Sequence, residues 1–171
     1  MANLKTLARY LVYAYEKLTT SQFENSELKL QKLMYFSQRE SLALTGEVIF
    51  EEDFEGWIHG PVIPDLRFFF EESYSPISAV ELETVSEKEK YIIHNVLDQY
   101  AKFETWTLRN LTHEEISWKK SREGLGPDES GNEIILIEDI KSDAANVRQY
   151  DHVWGMFLDE FDDDLGDAYV Q

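Results

Sequence analysis

Two consecutive stretches decide the architecture: LKLQKLMYFSQRESLALTG, Leu28 to Gly46, and EDFEGWIHGPVIPDLRFFF, Glu52 to Phe70. The first reads as a helix over residues 26–44. Ser26 is a favourable N-cap, no proline interrupts, and Gly46 stands just past the end, where a left-handed residue closes a helix. Leu30, Leu33, Met34, Ser37 and Leu44 follow one face and Leu28, Tyr35 and Leu42 a neighbouring one, so most of the circumference is apolar or aromatic and the helix is expected to be central. Lys29, Lys32 and Arg39 fall on the narrow strip that remains, either a solvated face or a basic strip turned toward a partner.

The second stretch changes period. Phe50, Phe54, Trp57 and Ile58 are strand-prone residues among acids, and His59-Gly60-Pro61-Val62-Ile63-Pro64 cannot continue a helix. Gly60 permits positive φ, and each proline fixes its own φ and biases the residue before it, which makes a rigid corner. Pro64 suits the first turn of a helix reaching about Glu72, with Asp65 well placed at its N-terminal end. Trp57, Gly60, Pro61 and Val62 each have a backbone or packing reason to be present, which favours a structural over a ligand role.

Elsewhere helical spacing predicts a helix over residues 2–17 and another over 87–103, the latter opened by a Ser86/Glu89 capping box. Thr105 is expected to cap a short turn through Asn110. Thr112 and Glu115 match a second capping box, starting a helix near His113 that ends before Gly124. The run Glu133 to Glu138 reads as a strand able to pair with Val48 to Ile58. Ser142 is a candidate cap for a helix over 142–160, with Gly155 counting against it. The expected fold is α+β and predominantly α-helical: a single compact domain of about six helices with a small β element, its main body spanning 1–140 and a C-terminal helix and acidic tail, 141–171, continuing it.

Composition narrows the function. At 171 residues with 43% hydrophobic side chains the chain can bury a core, and the absence of cysteine removes disulfides, thiolate zinc sites and cysteine nucleophiles. Lys5 and Arg9 break the apolar run a signal peptide would need, and no segment is long enough to span a bilayer, so a reducing cytoplasm is expected. The net charge is -18, yet residues 1–50 hold 6 basic against 5 acidic side chains, while 51–104 hold 4 against 13 and 139–171 hold 2 against 9. Such acidity opposes nucleic-acid phosphates and membrane surfaces and favours basic partners, or serves solubility alone.

Catalytic patterns are weak. His59, His94, His113 and His152 form no local His-x-x-x-His metal face, which leaves only a site assembled in space. His113-Glu114-Glu115 is the best local acid/base candidate, but a capping box already accounts for it. Gly124, Gly126 and Gly131 lack the spacing and lysine of a phosphate cradle. No cofactor is expected.

Three elements in order, Leu30-Gln31-Lys32-Leu33-x-Tyr35, then Trp57-x-x-Gly60-Pro61-Val62, then Thr112-His113-x-x-x-x-Trp118, resemble the Panacea domain of SocA-like antitoxins and phage-associated proteins. The resemblance implies a non-enzymatic protein that neutralises a toxin encoded beside it by direct contact, in some branches by delivering it to a protease. An alternative is a phage-type acidic inhibitor that mimics nucleic acid on a host or defence enzyme; an enzyme on the same scaffold ranks third. Residues expected to touch a protein partner are Lys32, Tyr35, His59, His113, Trp154, Phe157, Asp159, Asp162 and Asp163. The acidic segment after Asp139 lies beyond the shared motifs, and the oligomeric state cannot be read.

Overall fold

The computed structural model describes residues 2–161 and is a predominantly helical α+β fold organised around one helix. Helix α1 spans Leu4–Thr19, and α2 spans Glu27–Thr45. The Ser26 hydroxyl accepts from the Lys29 amide, and Gly46, at φ 75°, returns its amide to the Leu42 carbonyl, as the sequence predicts. Every residue of α2 from Leu30 to Leu42 is buried. It is packed by α1, by α4 (Glu87–Tyr100), by α5 (Thr105–His113), by α7 (Ile137–Ala144) and by strand β2 (Gly60–Val62).

A helix enclosed on all sides must find partners for its polar side chains. Here they serve as clamps on extended backbone. Gln31 accepts from the Ile63 amide at 2.8 Å and donates to the Ile63 carbonyl at 3.1 Å. Two turns on, Gln38 accepts from the Ile49 amide at 2.8 Å and donates to the Phe50 carbonyl at 3.0 Å. Each glutamine thus imitates a neighbouring strand and pins a loop to the core without any sheet there.

Strand β1 (Phe54–Trp57) sits between β2 and β3 (Ile134–Ile135) in an antiparallel sheet, with Trp57 opposite Gly60 and Phe54 opposite Ile135. The pairing of the two expected β segments holds, but the second is only two residues long, because Leu136 already opens α7. The helix expected from Pro64 to Glu72 is broken. Pro64 does start a turn, Pro64–Leu66, but Phe68 adopts φ 61° and separates it from a single wide turn, Phe69–Ser73. The Ser86/Glu89 box caps α4 with both reciprocal bonds. An equivalent Ser78/Glu81 box opens the short α3, Ala79–Thr84.

Three other expectations fail for instructive reasons. Thr112 is no cap: it lies in the last turn of α5, where its hydroxyl donates to the Arg109 carbonyl at 2.7 Å, and Thr105 is the first residue of that helix rather than its cap. Glu115 is ion-paired with Arg39, and the next helix, α6 (Ile116–Ser121), is capped from a distance: the Ile116 and Ser117 amides donate to the two Asp143 oxygens at 2.9 Å each. Ser142 likewise falls inside α7. Instead of a helix over 142–160, a β-hairpin of β4 (Tyr150–Asp151) and β5 (Met156–Phe157) turns through Gly155 at φ 64°.

Among the described residues no helix is long and apolar enough to cross a membrane.

Candidate functional site

The three sequence motifs meet at Gly60. Its φ of 110° is in the glycine region, and a side chain added there would lie 2.6 Å from the Thr112 hydroxyl and 2.9 Å from the Lys32 side chain. Lys32, fully buried, donates to the Pro61 carbonyl at 2.8 Å. Burial pulls its ammonium down to about 7, with Arg109 adding to the effect and Glu27 opposing it. Lys32 therefore lies in the interior, neither on a solvated face nor on an exposed basic strip; the corner carbonyl needed a donor from the central helix. Arg39 is buried as well, held by Glu115 and the Tyr100 hydroxyl, with its guanidinium over the Phe36 ring at 4.7 Å.

The remaining motif residues lock the same corner. Trp118 donates its indole N–H to the Trp57 carbonyl at 2.8 Å, and His113 stacks on the Trp118 ring at 3.9 Å. Arg122 donates to the Gly56 carbonyl at 3.0 Å, and a side chain at Gly56 would lie 1.9 Å from the Ser121 hydroxyl, so β1 approaches α6 too closely for anything larger. Tyr35, also fully buried, hydrogen-bonds Ser117 at 2.8 Å and Asp143 at 3.2 Å. Leu30 and Leu33 are core and Val62 is buried on the corner strand. Burial and neighbouring cations (Arg109, Lys32, His59) push the His113 imidazole down to about 4, so it is neutral near pH 7. Among the described residues its Nε2 is buried without a hydrogen-bond partner. Among the described residues no group of His, Asp and Glu could hold a metal ion.

Of the expected partner contacts, Lys32 and Tyr35 are thus interior and cannot touch a protein docked on this structure. His59 is exposed, its ring 5.5 Å from that of exposed Trp106. It belongs to a face that the sequence did not reveal: Arg67 lies over both Trp57 and Phe68, at 5.2 and 4.6 Å, and Arg109 over Trp106 at 4.5 Å. A cleft of 410 Å³ runs between Trp57, His59, Phe68 and the start of α2.

The C-terminal arm, residues 145–161, presents a second face. It is seated on α4 largely by polar contacts: the Tyr91 and Tyr150 hydroxyls donate to Asp151 at 2.6 Å and to Asp98 at 2.5 Å, and the His152 amide to Asn95 at 2.9 Å. Its tip is apolar and open, with Val153 69% and Trp154 73% exposed. Phe157 is half-buried beneath Arg148, which pairs with Asp159 and Glu160. Asp162 and Asp163 lie outside the described residues.

The geometry defines a helical scaffold whose shared motifs build its interior and leave its exposed aromatic faces elsewhere. The chain belongs to the antitoxin SocA-like family, Panacea domain, which matches residues 30–119, just over half its length. The match encloses all three motifs but stops short of the arm. Comparisons with curated proteins and with solved structures give no match.

Proposed function

We propose that the chain is a non-enzymatic antitoxin that neutralises a partner toxin by direct contact, with the C-terminal arm as its main contact. Family membership supports the antitoxin class. The observation that supports the place is Trp154: a tryptophan 73% exposed beside Val153, on an arm outside the family match. Tryptophans with apolar neighbours are the common anchors of protein interfaces, and a solvent-facing one is costly to leave uncovered. On the same arm the carboxylates of Asp159 and Glu160, in a chain of net charge -18, favour a basic partner and would speed its approach. A family scaffold combined with an arm outside the family match also suits a domain that accompanies many unrelated toxins.

Co-expression with the protein encoded beside it tests this reading. Growth arrest by that protein should be relieved by the wild-type chain and not by a Val153→Ser, Trp154→Ser variant of equal abundance. The competing reading, an acidic mimic of nucleic acid, predicts affinity that collapses steeply with salt. An aromatic-anchored contact should instead lose only its association rate.

A further inference from the structure

We infer that the arm carries a receptor for a guanidinium group, filled in the free protein by the chain's own Arg148 and open to an arginine side chain of the partner. The inference rests on the arm being the contact face and names the group it recognises. Arg148 places its guanidinium carbon 4.0 Å over the Phe157 ring. Its Nε and Nη2 donate to the two Asp159 oxygens at 2.8 Å each, and Nη2 also reaches Glu160 at 3.3 Å. A ring face, a carboxylate gripped by two parallel N–H groups and a second carboxylate together select a planar fork; an ammonium could satisfy only part of the set. The bonds to Arg148 hold the Asp159 carboxyl below its ordinary range, so it stays ionised at neutral pH.

The seat is built and also easily vacated. Tyr150 packs edge-on against Phe157 at 5.2 Å, and the Leu158 amide donates to the Gln149 carbonyl at 2.8 Å, which fixes ring and carboxylate on one closed hairpin. Arg148, by contrast, is half-exposed, as are the carboxylates that hold it. Exposed pairs of this kind contribute little net stability. Exchanging Arg148 for an incoming arginine keeps every contact of the seat, and the displaced guanidinium has somewhere to go. Arg148 already lines a cavity of 460 Å³ whose wall includes Glu114, Glu115 and Asp143, with Glu115 already paired to Arg39 on the same wall. No other lysine or arginine lies in the arm, residues 145–161.

Binding of the capped peptides acetyl-Gly-Arg-Gly-amide and acetyl-Gly-Lys-Gly-amide, followed by NMR shifts of the Phe157 ring, tests the inference without any toxin. Arg148→Ala should bind the arginine peptide about tenfold more tightly than wild type does, and about tenfold more tightly than it binds the lysine peptide. Adding Asp159→Asn should abolish the gain. If Arg148→Ala loses the Tyr150–Phe157 ring contact, Arg148→Lys, which keeps the charge but not the fork, should show the same gain in smaller measure. Equal binding by wild type and both variants, equal binding of the two peptides, or a gain that survives Asp159→Asn would overturn the inference. Because no toxin enters, failure here leaves the antitoxin reading intact, and a growth-rescue result that moves the contact off the arm removes the partner from this inference but not the seat's preference for a guanidinium.

Discussion

The Lys32 ammonium and the Pro61 carbonyl, 2.8 Å apart, join two sequence motifs that lie 29 residues apart, and the third motif closes over them through Thr112. The corner is held by the central helix as well as by its own strand pairing. Gly60→Val would require a β-branched residue at φ 110° and force its side chain against Thr112 and Lys32. The expected loss is about 2–4 kcal/mol, from backbone strain together with overpacking, read as a lower urea midpoint at unchanged slope. A midpoint like that of wild type would show that the corner does not bear on stability.

Asp143 predicts a loss of similar size at a position with no local signal. Asp143→Ala removes the acceptor for two α6 amides and for the Tyr35 hydroxyl, all at or beneath the surface. Leaving such donors unmatched should cost about 2–4 kcal/mol, and Asp143→Asn, which keeps one oxygen, should cost less. Amide exchange at Ile116 and Ser117 would show the loss at its source.

Glu40 gives the chain a pH signature. It is buried, one of its oxygens has no hydrogen-bond partner among the described residues, and burial pushes its carboxyl up to about 7 from an ordinary 4.5. The folded state therefore binds more protons than the unfolded state between pH 4.5 and 7, and this residue's contribution to stability falls as pH rises through that window. His113, pushed down to about 4, contributes the opposite slope from pH 4 to 6.5, so the informative quantity is wild type minus variant. Glu40→Gln should match wild type near pH 4 and exceed it by about 1–3 kcal/mol at pH 8. A constant difference across that range would contradict the account.

What could be read from the sequence was local. Ser26 and Gly46 mark α2, Ser86 with Glu89 marks α4, and Gly60-Pro61 marks the corner, because each signal acts within a few residues. The failures are long-range substitutions for local rules. Thr112-x-x-Glu115 has the letters of a capping box, but Arg39, 76 residues away, claims the glutamate and Asp143 does the capping. Lys32 and Arg39 read as a surface strip because periodicity counts charges as exposed, whereas an enclosed helix needs donors to hold the carbonyl at Pro61 and the carboxylate of Glu115. Ser142 to Glu160 has helix-forming letters, yet Asp151 accepts the Trp154 amide at 2.8 Å and turns the chain back at Gly155. For the proposed partner face, Trp154 stands in the sequence beside the acids from Asp159 on, while Phe68, Trp106 and Arg67 carry no signal that distinguishes them from core or solvated residues.

The most direct test of the central claim is the affinity of the purified chain for the protein encoded beside it, measured by titration calorimetry with wild type and with Trp154→Ala. The account predicts a defined stoichiometric complex whose Kd rises about 30- to 100-fold in the variant, a loss of about 2–3 kcal/mol, while the melting temperature of the free chain is unchanged. A variant that folds normally and binds as tightly as wild type would contradict it and move the contact to another face.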